Sequence, residues 1–136
     1  MAKYAGYGTV LERGSTPIAQ VTNISGPGLS LDVEDVTTHD STAAWEEVVA
    51  TILRSGEISL DIVYDPAAAT HSASAGGLIA DMVARTAQAY SLIFTDTANT
   101  EWTFNAFVVG FDPDMPHDGA LTASVTMKIN GQPTLA

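Results

Sequence analysis

The sequence has no cysteine and little positive charge. Without cysteine, disulfide scaffolds, thiolate zinc sites and cysteine nucleophiles are excluded. Five Lys and Arg residues stand against 16 Asp and Glu, for a net charge of -11. Because phosphate contacts need clustered cations, this balance argues against a conventional nucleic-acid-binding protein and against docking on an anionic membrane. The five cations are scattered along the chain: Lys3, Arg13, Arg54, Arg85 and Lys128.

Long apolar runs are also missing. No run approaches the roughly 20 residues that cross a bilayer, and residues 1–7 lack the apolar core of a signal peptide. Hydrophobic residues nevertheless make up 46% of the 136 residues, which is enough for one packed core. We therefore expect residues 1–136 to form a single domain that folds where it is synthesised.

The sequence carries no convincing catalytic or metal-binding motif. His39, His71 and His117 form neither an HxH nor an HxxxH pair, so we interpret them as solvated loop histidines. Residues 112–119 superficially resemble a calcium loop, but Pro116 and His117 occupy its fifth and sixth positions, and the sixth requires glycine. No GxSxG elbow is present. We expect no enzymatic activity, no metal and no cofactor.

Alternation of apolar and polar residues predicts β-strands along most of the chain. In residues 57–64, for example, Ile58, Leu60 and Ile62 share one face while Glu57, Ser59 and Asp61 share the other. The strand at 101–111 is apolar on both faces, which predicts that both are covered. Other strands are predicted at 29–34, 90–95 and 121–129, with an N-terminal hairpin between residues 8 and 25.

Two segments depart from this alternation. Residues 74–89 have apolar residues three and four positions apart, which predicts one amphipathic helix packed on a sheet. Residues 36–55 fit neither period and are predicted to form a long loop, whose exposed Trp45 indicates a surface for a protein partner. The predicted fold is mainly β (α+β): a β-sandwich or partial barrel of antiparallel strands with one flanking α-helix and a long loop.

Several segments, taken in order, resemble a known family. The chain runs through "GLSLDVEDVTTHDS", a Trp-containing loop, "SGEISLDIVYDP", one helix, "EWTFNAFVVGFDPDMP" and "LTASVTMKINGQP". This order and spacing resemble the major tail tube protein of long-tailed (siphovirus-type) bacteriophages, from about residue 16 to residue 136. The resemblance implies a structural virion protein of the tail, assembled in the cytoplasm of the host bacterium.

The same resemblance implies an assembly and its partners. Tail tube subunits form hexameric rings that stack into a hollow conduit for DNA ejection, and their inner strands complete one β-barrel around the lumen. The implied partners are copies of the chain itself, the tape measure protein, the tail terminator and the distal tail proteins. DNA would transit without specific binding, because a carboxylate-lined wall offers no counterion release. Some relatives carry a C-terminal immunoglobulin-like domain, which we expect to be absent here.

Three sets of site residues follow for such an assembly. Asp32, Glu34 and Asp61 are predicted to face the lumen, as polar residues on strands whose opposite faces are core. Strand edges that pair between subunits are predicted around Ile58, Tyr64, Leu121 and Ile129. Ring-stacking contacts are predicted from the long loop: Thr38, His39, Asp40, Trp45, Glu46, Val48, Val49 and Leu53.

Two alternative functions are left open by the sequence. A ring-forming relative, such as a type VI secretion tube subunit or a distal-tail adaptor, predicts the same fold with a wider or unstacked ring. A small acidic β-sandwich enzyme or glycan-binding module predicts a concave site with converging carboxylates or aromatic side chains.

Overall fold

The computed structural model describes residues 3–135, and strands dominate this part of the chain. One α-helix, α1 (Leu78–Ala84), and a short 3-10 turn (Thr42–Ala44) accompany them. The strands are β1 (Val10–Arg13), β2 (Thr16–Pro17), β3 (Val21–Ser25), β4 (Ser30–Asp35), β5 (Val48–Arg54), β6 (Glu57–Val63), β7 (Gln88–Ile93), β8 (Glu101–Asp114) and β9 (Thr122–Leu135).

Seven of these strands form one antiparallel sheet in the order β2-β1-β7-β8-β9-β6-β3. The sheet curls into a half-barrel, and the helix packs against β8 on its core side. Strands β4 and β5 form a separate two-stranded antiparallel sheet. The predicted fold class, mainly antiparallel β with one flanking helix, is confirmed.

Alternation places the core on one face of the sheet. Ile58, Leu60 and Ile62 of β6 are fully buried, and they lie directly opposite the buried face of β9 in the antiparallel register. Cross-strand pairs of this kind are what hold a sheet's buried face together. The remaining buried core residues include Leu11, Leu78, Tyr90, Leu92, Phe104, Ala106, Val108, Val125 and Met127.

The helix is shorter than residues 74–89, where it was predicted. It begins after Gly77, whose backbone is extended (φ -92°, ψ 159°) and lies so close to the Ser72 carbonyl that a Cβ would clash there. It ends at Arg85, whose φ of 58° is left-handed. The last predicted residues belong instead to β7. So short a helix owes its stability to the packing of residues such as Leu78 rather than to helix propensity.

The predicted long loop at 36–55 is also wrong in part. Residues 48–54 form β5, which pairs antiparallel with β4, so only residues 36–47 connect the two strands. Alternation failed to reveal β5 because all seven of its residues are exposed, and no core face imposes a period of two. The segment is a β-hairpin, named here the arm (residues 30–54), and its connection is named the tip (residues 36–47).

The predicted inter-subunit edges are interior instead. Strand β6 lies between β3 and β9, and β9 lies between β6 and β8, so neither has a free edge along its paired length. Ile58 and Ile129 are buried, while the Tyr64 N–H donates to the Leu121 carbonyl at 3.0 Å within the same chain. Alternation identifies a buried face, but it carries no information on where a strand lies in its sheet.

Candidate assembly surface

The arm stands apart from the half-barrel. Strands β4 and β5 pair with each other, and no other helix or strand among residues 3–135 packs extensively against them. Leu31 lies opposite Leu53 and Val33 opposite Ala50, with a bulge between the two pairs on β5. Since directly opposed residues share a face of a sheet, this register defines two distinct faces for the arm.

One face of the arm is apolar and uncovered. Leu31, Val33 and Val48 are each at least half exposed, and Leu53 is 81% exposed. Monomeric proteins rarely leave a contiguous apolar patch of this kind in water, and such patches mark surfaces that bind a partner. We call it the apolar face; its members are Leu31, Val33, Val48, Ala50 and Leu53, with Asp35 at its tip end.

The opposite face of the arm is polar on β4, and the half-exposed Val49 of β5 lies beside these polar side chains. Here the Asp32 carboxylate accepts a hydrogen bond from Arg54 Nε at 2.8 Å, in an exposed ion pair across the two strands. The Thr51 hydroxyl donates to the Asp32 carbonyl at 3.1 Å, which ties the strands together beside the bulge. We call this side the polar face; its members are Ser30, Asp32, Glu34, Val49 and Arg54.

The tip folds upon itself through its own hydrogen bonds. The Thr38 N–H donates to Ser41 Oγ at 3.0 Å, and the Ser41 hydroxyl donates to Glu47 Oε2 at 3.1 Å. The Glu47 N–H in turn donates to Thr37 Oγ1 at 2.8 Å. Ser41 is therefore buried inside a segment that otherwise has no core. This network gives the tip a defined conformation without help from the half-barrel.

Two features of the tip indicate a binding role. Ala43 and Ala44 have φ values of 54° and 60°, in the left-handed region that non-glycine residues rarely adopt. Strain of this kind clusters at functional segments. The next residue, Trp45, is 75% exposed, and a rigidly presented Trp is a frequent energetic centre of protein interfaces.

The predicted ring-stacking residues all lie on the arm. Thr38, His39, Asp40, Trp45 and Glu46 belong to the tip, whereas the aliphatic members of the set belong to β5. Val48 and Leu53 lie on the apolar face and Val49 on the polar face. The structure thus brings the set together on one projecting element, and the ring-stacking role itself stays a prediction.

The three predicted lumen residues occupy two different settings. Asp61 lies on the exposed face of β6, opposite the buried Leu60 and Ile62, and accepts a hydrogen bond from the Ser124 hydroxyl at 3.1 Å. The premise of its prediction holds, and its lumen position stays a prediction. For Asp32 and Glu34 the premise is wrong, because the opposite side of β4 is the exposed apolar face of the arm rather than core. Alternation looks the same whether an apolar face covers a core or lies open.

A groove that the sequence did not reveal lies beside the edge strand β3. It has a volume of about 1160 Å³ and is bounded by residues 4–10, by β3 and by the adjoining ends of β7 and β8. Phe94 and Trp102 meet edge to face at 5.1 Å in its wall. Its apolar lining includes Val21, Ile24, Leu92, Phe94 and Trp102.

One histidine contradicts its predicted setting. His71, expected in solvent, is fully buried, and its Nε2 lies 2.6 Å from the Ala19 carbonyl oxygen. The Asp65 N–H donates to its Nδ1 at 3.2 Å, so Nε2 carries the proton and donates to Ala19. Thr70 Oγ1 accepts from the Ala19 N–H at 3.1 Å. Residues 65–77 thereby clamp the backbone that leads into β3.

Within residues 3–135, no three or more His, Asp and Glu side chains gather closely enough to hold a metal ion. No helix in this same range is long and apolar enough to span a membrane.

Comparisons with known proteins agree with the β-rich fold. The chain belongs to the lambda phage tail tube protein family, whose model matches residues 4–136. This family is a structural component of the phage virion tail and not an enzyme, so the enzyme alternative is excluded. A comparison with curated proteins found no match.

Solved structures share the fold at low sequence identity. A chain of the "virion of native gene transfer agent (GTA) particle" is 15% identical, with a TM-score of 0.76 over 98% of this chain and 99% of that one. A chain of an extracellular contractile injection system "PVC sheath/tube terminator in extended state" is 13% identical, with a TM-score of 0.73 over 100% and 98%. A chain of the "anti-feeding prophage cap (AFP tube terminating cap)" is 15% identical, with a TM-score of 0.73 over 100% of this chain and 93% of that one.

Proposed function

We propose that copies of this chain assemble into hexameric rings that stack into the tail tube, the conduit for DNA ejection. The single observation that carries the proposal is the uncovered apolar face of the arm. Leu31, Val33, Val48 and Leu53 lie half exposed or more on an element against which no other helix or strand of the described chain packs extensively. A second copy is the occupant that the tail tube family supports.

The energetics favour covering this face. Full burial of one Val or Leu side chain contributes about 1.5–3 kcal/mol. Because the four large side chains of the apolar face are half exposed or more, their burial in an assembly would contribute on the order of 5 kcal/mol per arm. In a closed ring of six subunits every arm is covered in this way. Closure adds one more interface between subunits that are already in the ring, so no further subunit has to be ordered.

Stacking of one ring on the next is assigned to the tip. Its hydrogen-bonded backbone presents Trp45 outward from the subunit, so docking orders few additional groups and loses little entropy. The other tip residues predicted for stacking, Thr38, His39, Asp40 and Glu46, are polar and exposed on the same short segment. A buried aromatic centre with a polar rim is the usual composition of an interface.

The acidity of the chain suits a passage for DNA. With a net charge of -11, the subunit offers few cations to hold phosphate, and Asp61 lies on the exposed face of the main sheet. Contact between DNA and such a wall releases no counterions, so the polymer slides rather than binds. The tape measure, terminator and distal tail proteins are the proposed further partners.

Electron microscopy of the purified chain over a range of concentrations tests the proposal. We expect six-fold rings and stacked tubes above a critical concentration, with a matching rise in mass by light scattering. Monomers at every concentration, also in the presence of tail-initiation proteins, would contradict it.

A single unstacked ring, as in a tube terminator or a distal-tail adaptor, is the second candidate. It is supported by the shared fold with chains from the sheath/tube terminator and cap structures, at TM-scores of 0.73. Images that show only single rings at high concentration would select this function over the tube.

A further inference from the structure

Four strands in residues 3–135 have no partner strand on one side over their whole length: β2 and β3 at the ends of the main sheet, and β4 and β5 in the arm. Parts of β8 (residues 107–114) and of β9 (residues 129–135) also extend past a neighbouring strand. A free edge presents unpaired N–H and C=O groups that can bond to another chain. Proteins block the edges that must stay unpaired with charge, proline or short length. The sequences of these four edges therefore indicate which ones can pair with a strand of another chain.

Two of the edges are blocked. Strand β2 has only two residues, and one of them, Pro17, has no N–H to donate. Strand β4 carries Asp32, Glu34 and Asp35 within six residues, and an incoming strand would have to lie beside these carboxylates.

The other two edges are unprotected. Strand β3, with the sequence VTNIS, has neither charge nor proline along its five residues. Strand β5, with the sequence VVATILR, has no proline and no charge before Arg54, and all seven of its residues are exposed. Both sequences are rich in the β-branched residues that strands favour.

We propose that β5 of one copy pairs along β3 of its neighbour in the same ring. The proposal rests on the proposed ring, and it names the two surfaces that join within it. The contact is heterologous, since different edges of the same chain meet, and a heterologous contact that repeats around an axis closes a ring. The neighbouring sheet then continues from β3 into β5 and β4 of the adjoining copy.

The faces of the joined strands match in only one orientation. On β3, Val21 and Ile24 lie opposite the buried Ile62 and Leu60, whereas Asn23 lies opposite the exposed Asp61. Apolar and polar sides of the arm are likewise separated. Apolar residues adjoin apolar ones only if the apolar face of the arm turns toward the core side of the neighbouring sheet.

In that orientation the apolar face covers the groove beside β3. The groove offers the partly exposed apolar surfaces of Ile24, Phe94 and Trp102, which one copy leaves open. One contact thus satisfies two edges and covers two apolar surfaces, each of which is incomplete in the single chain.

The same orientation unites the carboxylates. The polar face of the arm becomes continuous with the exposed face of the neighbouring β3 and β6. Asp32 and Glu34 of one copy then share a surface with Asp61 of the next. These carboxylates lie on different elements of one chain, but between neighbouring copies they form one lumen wall.

Engineered disulfides test the pairing in a background without cysteine. Paired strands lie about 4.8 Å apart, and a disulfide joins Cα atoms about 4.4–6.8 Å apart. Asn23→Cys on β3 is combined with Ile52→Cys on β5; both side chains are exposed and neither takes part in an observed hydrogen bond. Combinations that use Thr22 or Thr51 sample the adjacent registers. The matched control pairs Asn23→Cys with Ser30→Cys on β4, about two strand spacings from β3.

After oxidation of assembled rings, a β3–β5 pair is expected to give a covalent ladder that reaches six chains on a denaturing gel. The single variants and the β4 control should show none. Rings that yield no ladder with any β3–β5 combination, or an equal ladder with the β4 control, overturn the pairing while the proposed tube stands. A wild-type chain that forms no rings contradicts the proposed function itself.

A charged residue introduced on the β5 edge provides a second test of the pairing. Ile52→Lys on β5 is expected to raise the concentration needed for rings at least tenfold, whereas Ser30→Lys on β4 should leave it within twofold, with both variants folded by circular dichroism. Unchanged assembly of Ile52→Lys overturns the pairing.

Discussion

Arg13 and Asp81 form a bidentate ion pair that joins the start of the sheet to the helix. Arg13 Nε lies 2.7 Å from Asp81 Oδ2, and Nη2 lies 2.8 Å from Oδ1. The Tyr90 hydroxyl also donates to Asp81 Oδ2 at 3.1 Å, and Asp81 is only 5% exposed. The hydrogen bonding that Arg13 donates to Asp81 raises the pKa of Arg13. Burial is the main cause that raises the pKa of Tyr90, and the negative charge of Asp81 raises it further.

Replacement of Arg13 by alanine is expected to destabilise the subunit by about 3 kcal/mol, because it leaves the buried Asp81 carboxylate with only a tyrosine partner. Urea unfolding followed by circular dichroism measures this change. Arg54→Ala is the matched control, since its ion pair with Asp32 is largely exposed and should contribute less than about 1 kcal/mol. Equal losses in the two variants would contradict the structural role of the buried pair.

The buried histidine gives a second prediction. His71→Ala removes the partners of the Ala19 carbonyl and the Asp65 N–H and leaves a cavity, so a loss of about 3 kcal/mol is expected. Hydrogen exchange should accelerate in β3, because the clamp on Ala19 leads into that strand. His117→Ala, on an exposed side chain, should change stability by less than about 0.5 kcal/mol. A His71 variant as stable as the His117 variant would rule out the clamp.

An acid-sensitive turn gives a third prediction. In the β7–β8 connection, the Thr100 hydroxyl and its N–H both donate to the Asp96 carboxylate, which lowers the pKa of Asp96. Since the folded pKa is below the unfolded one, this stabilisation is fully present at neutral pH and is lost as the pH falls through the lowered pKa. The protection factor of the Thr100 amide, which is the exchange rate of an unstructured chain divided by that of the amide at the same pH, should therefore fall in acid.

The matched variants for this turn are Asp96→Ala and Asp118→Ala. Asp96→Ala should remove the conformational part of the pH dependence at Thr100, whereas Asp118→Ala, at an exposed position in another connection, should leave it intact. Identical exchange profiles for the wild type and the Asp96 variant would show that the carboxylate does not hold the turn.

The sequence was informative where a core imposed its period. Ile58, Leu60 and Ile62 alternate because the opposite side of β6 meets water, and the strand was predicted within a residue of its bounds. The register β6–β9 and the sheet order depend on contacts between distant segments, which a period of two does not encode. Ile58 and Ile129 were therefore placed at edges when they lie inside the sheet.

The arm shows the complementary failure. Its β5 strand has no buried face in the single chain, so no alternation marked it. The exposed Trp45 pointed to a binding role for the segment, but its folded tip depends on side-chain hydrogen bonds such as Ser41 to Glu47 that composition does not reveal. Similarly, nothing in the spacing of three histidines distinguished the buried His71 from two exposed ones.

The tip provides the last prediction, on stacking alone. Trp45→Ala should change the stability of the free subunit by less than about 0.5 kcal/mol, since the side chain is 75% exposed and contributes little to the core. If Trp45 is the centre of the ring-to-ring contact, its loss costs about 2 kcal/mol per contact. That corresponds to a rise of about 30-fold in the concentration needed for tubes.

Rings should persist in the Trp45 variant, because the edges of β3 and β5 are unchanged. Electron microscopy should show single or short stacks where the wild type gives long tubes. Deletion of residues 38–46 should have the same effect and spares β5, whereas deletion through Val48 would remove the first residue of that strand. Val83→Ala, on a side chain 72% exposed in the helix, is the matched control and should form tubes of normal length. Normal tubes from both the Trp45 variant and the tip deletion would contradict the prediction. They would show that rings stack through a surface other than the tip.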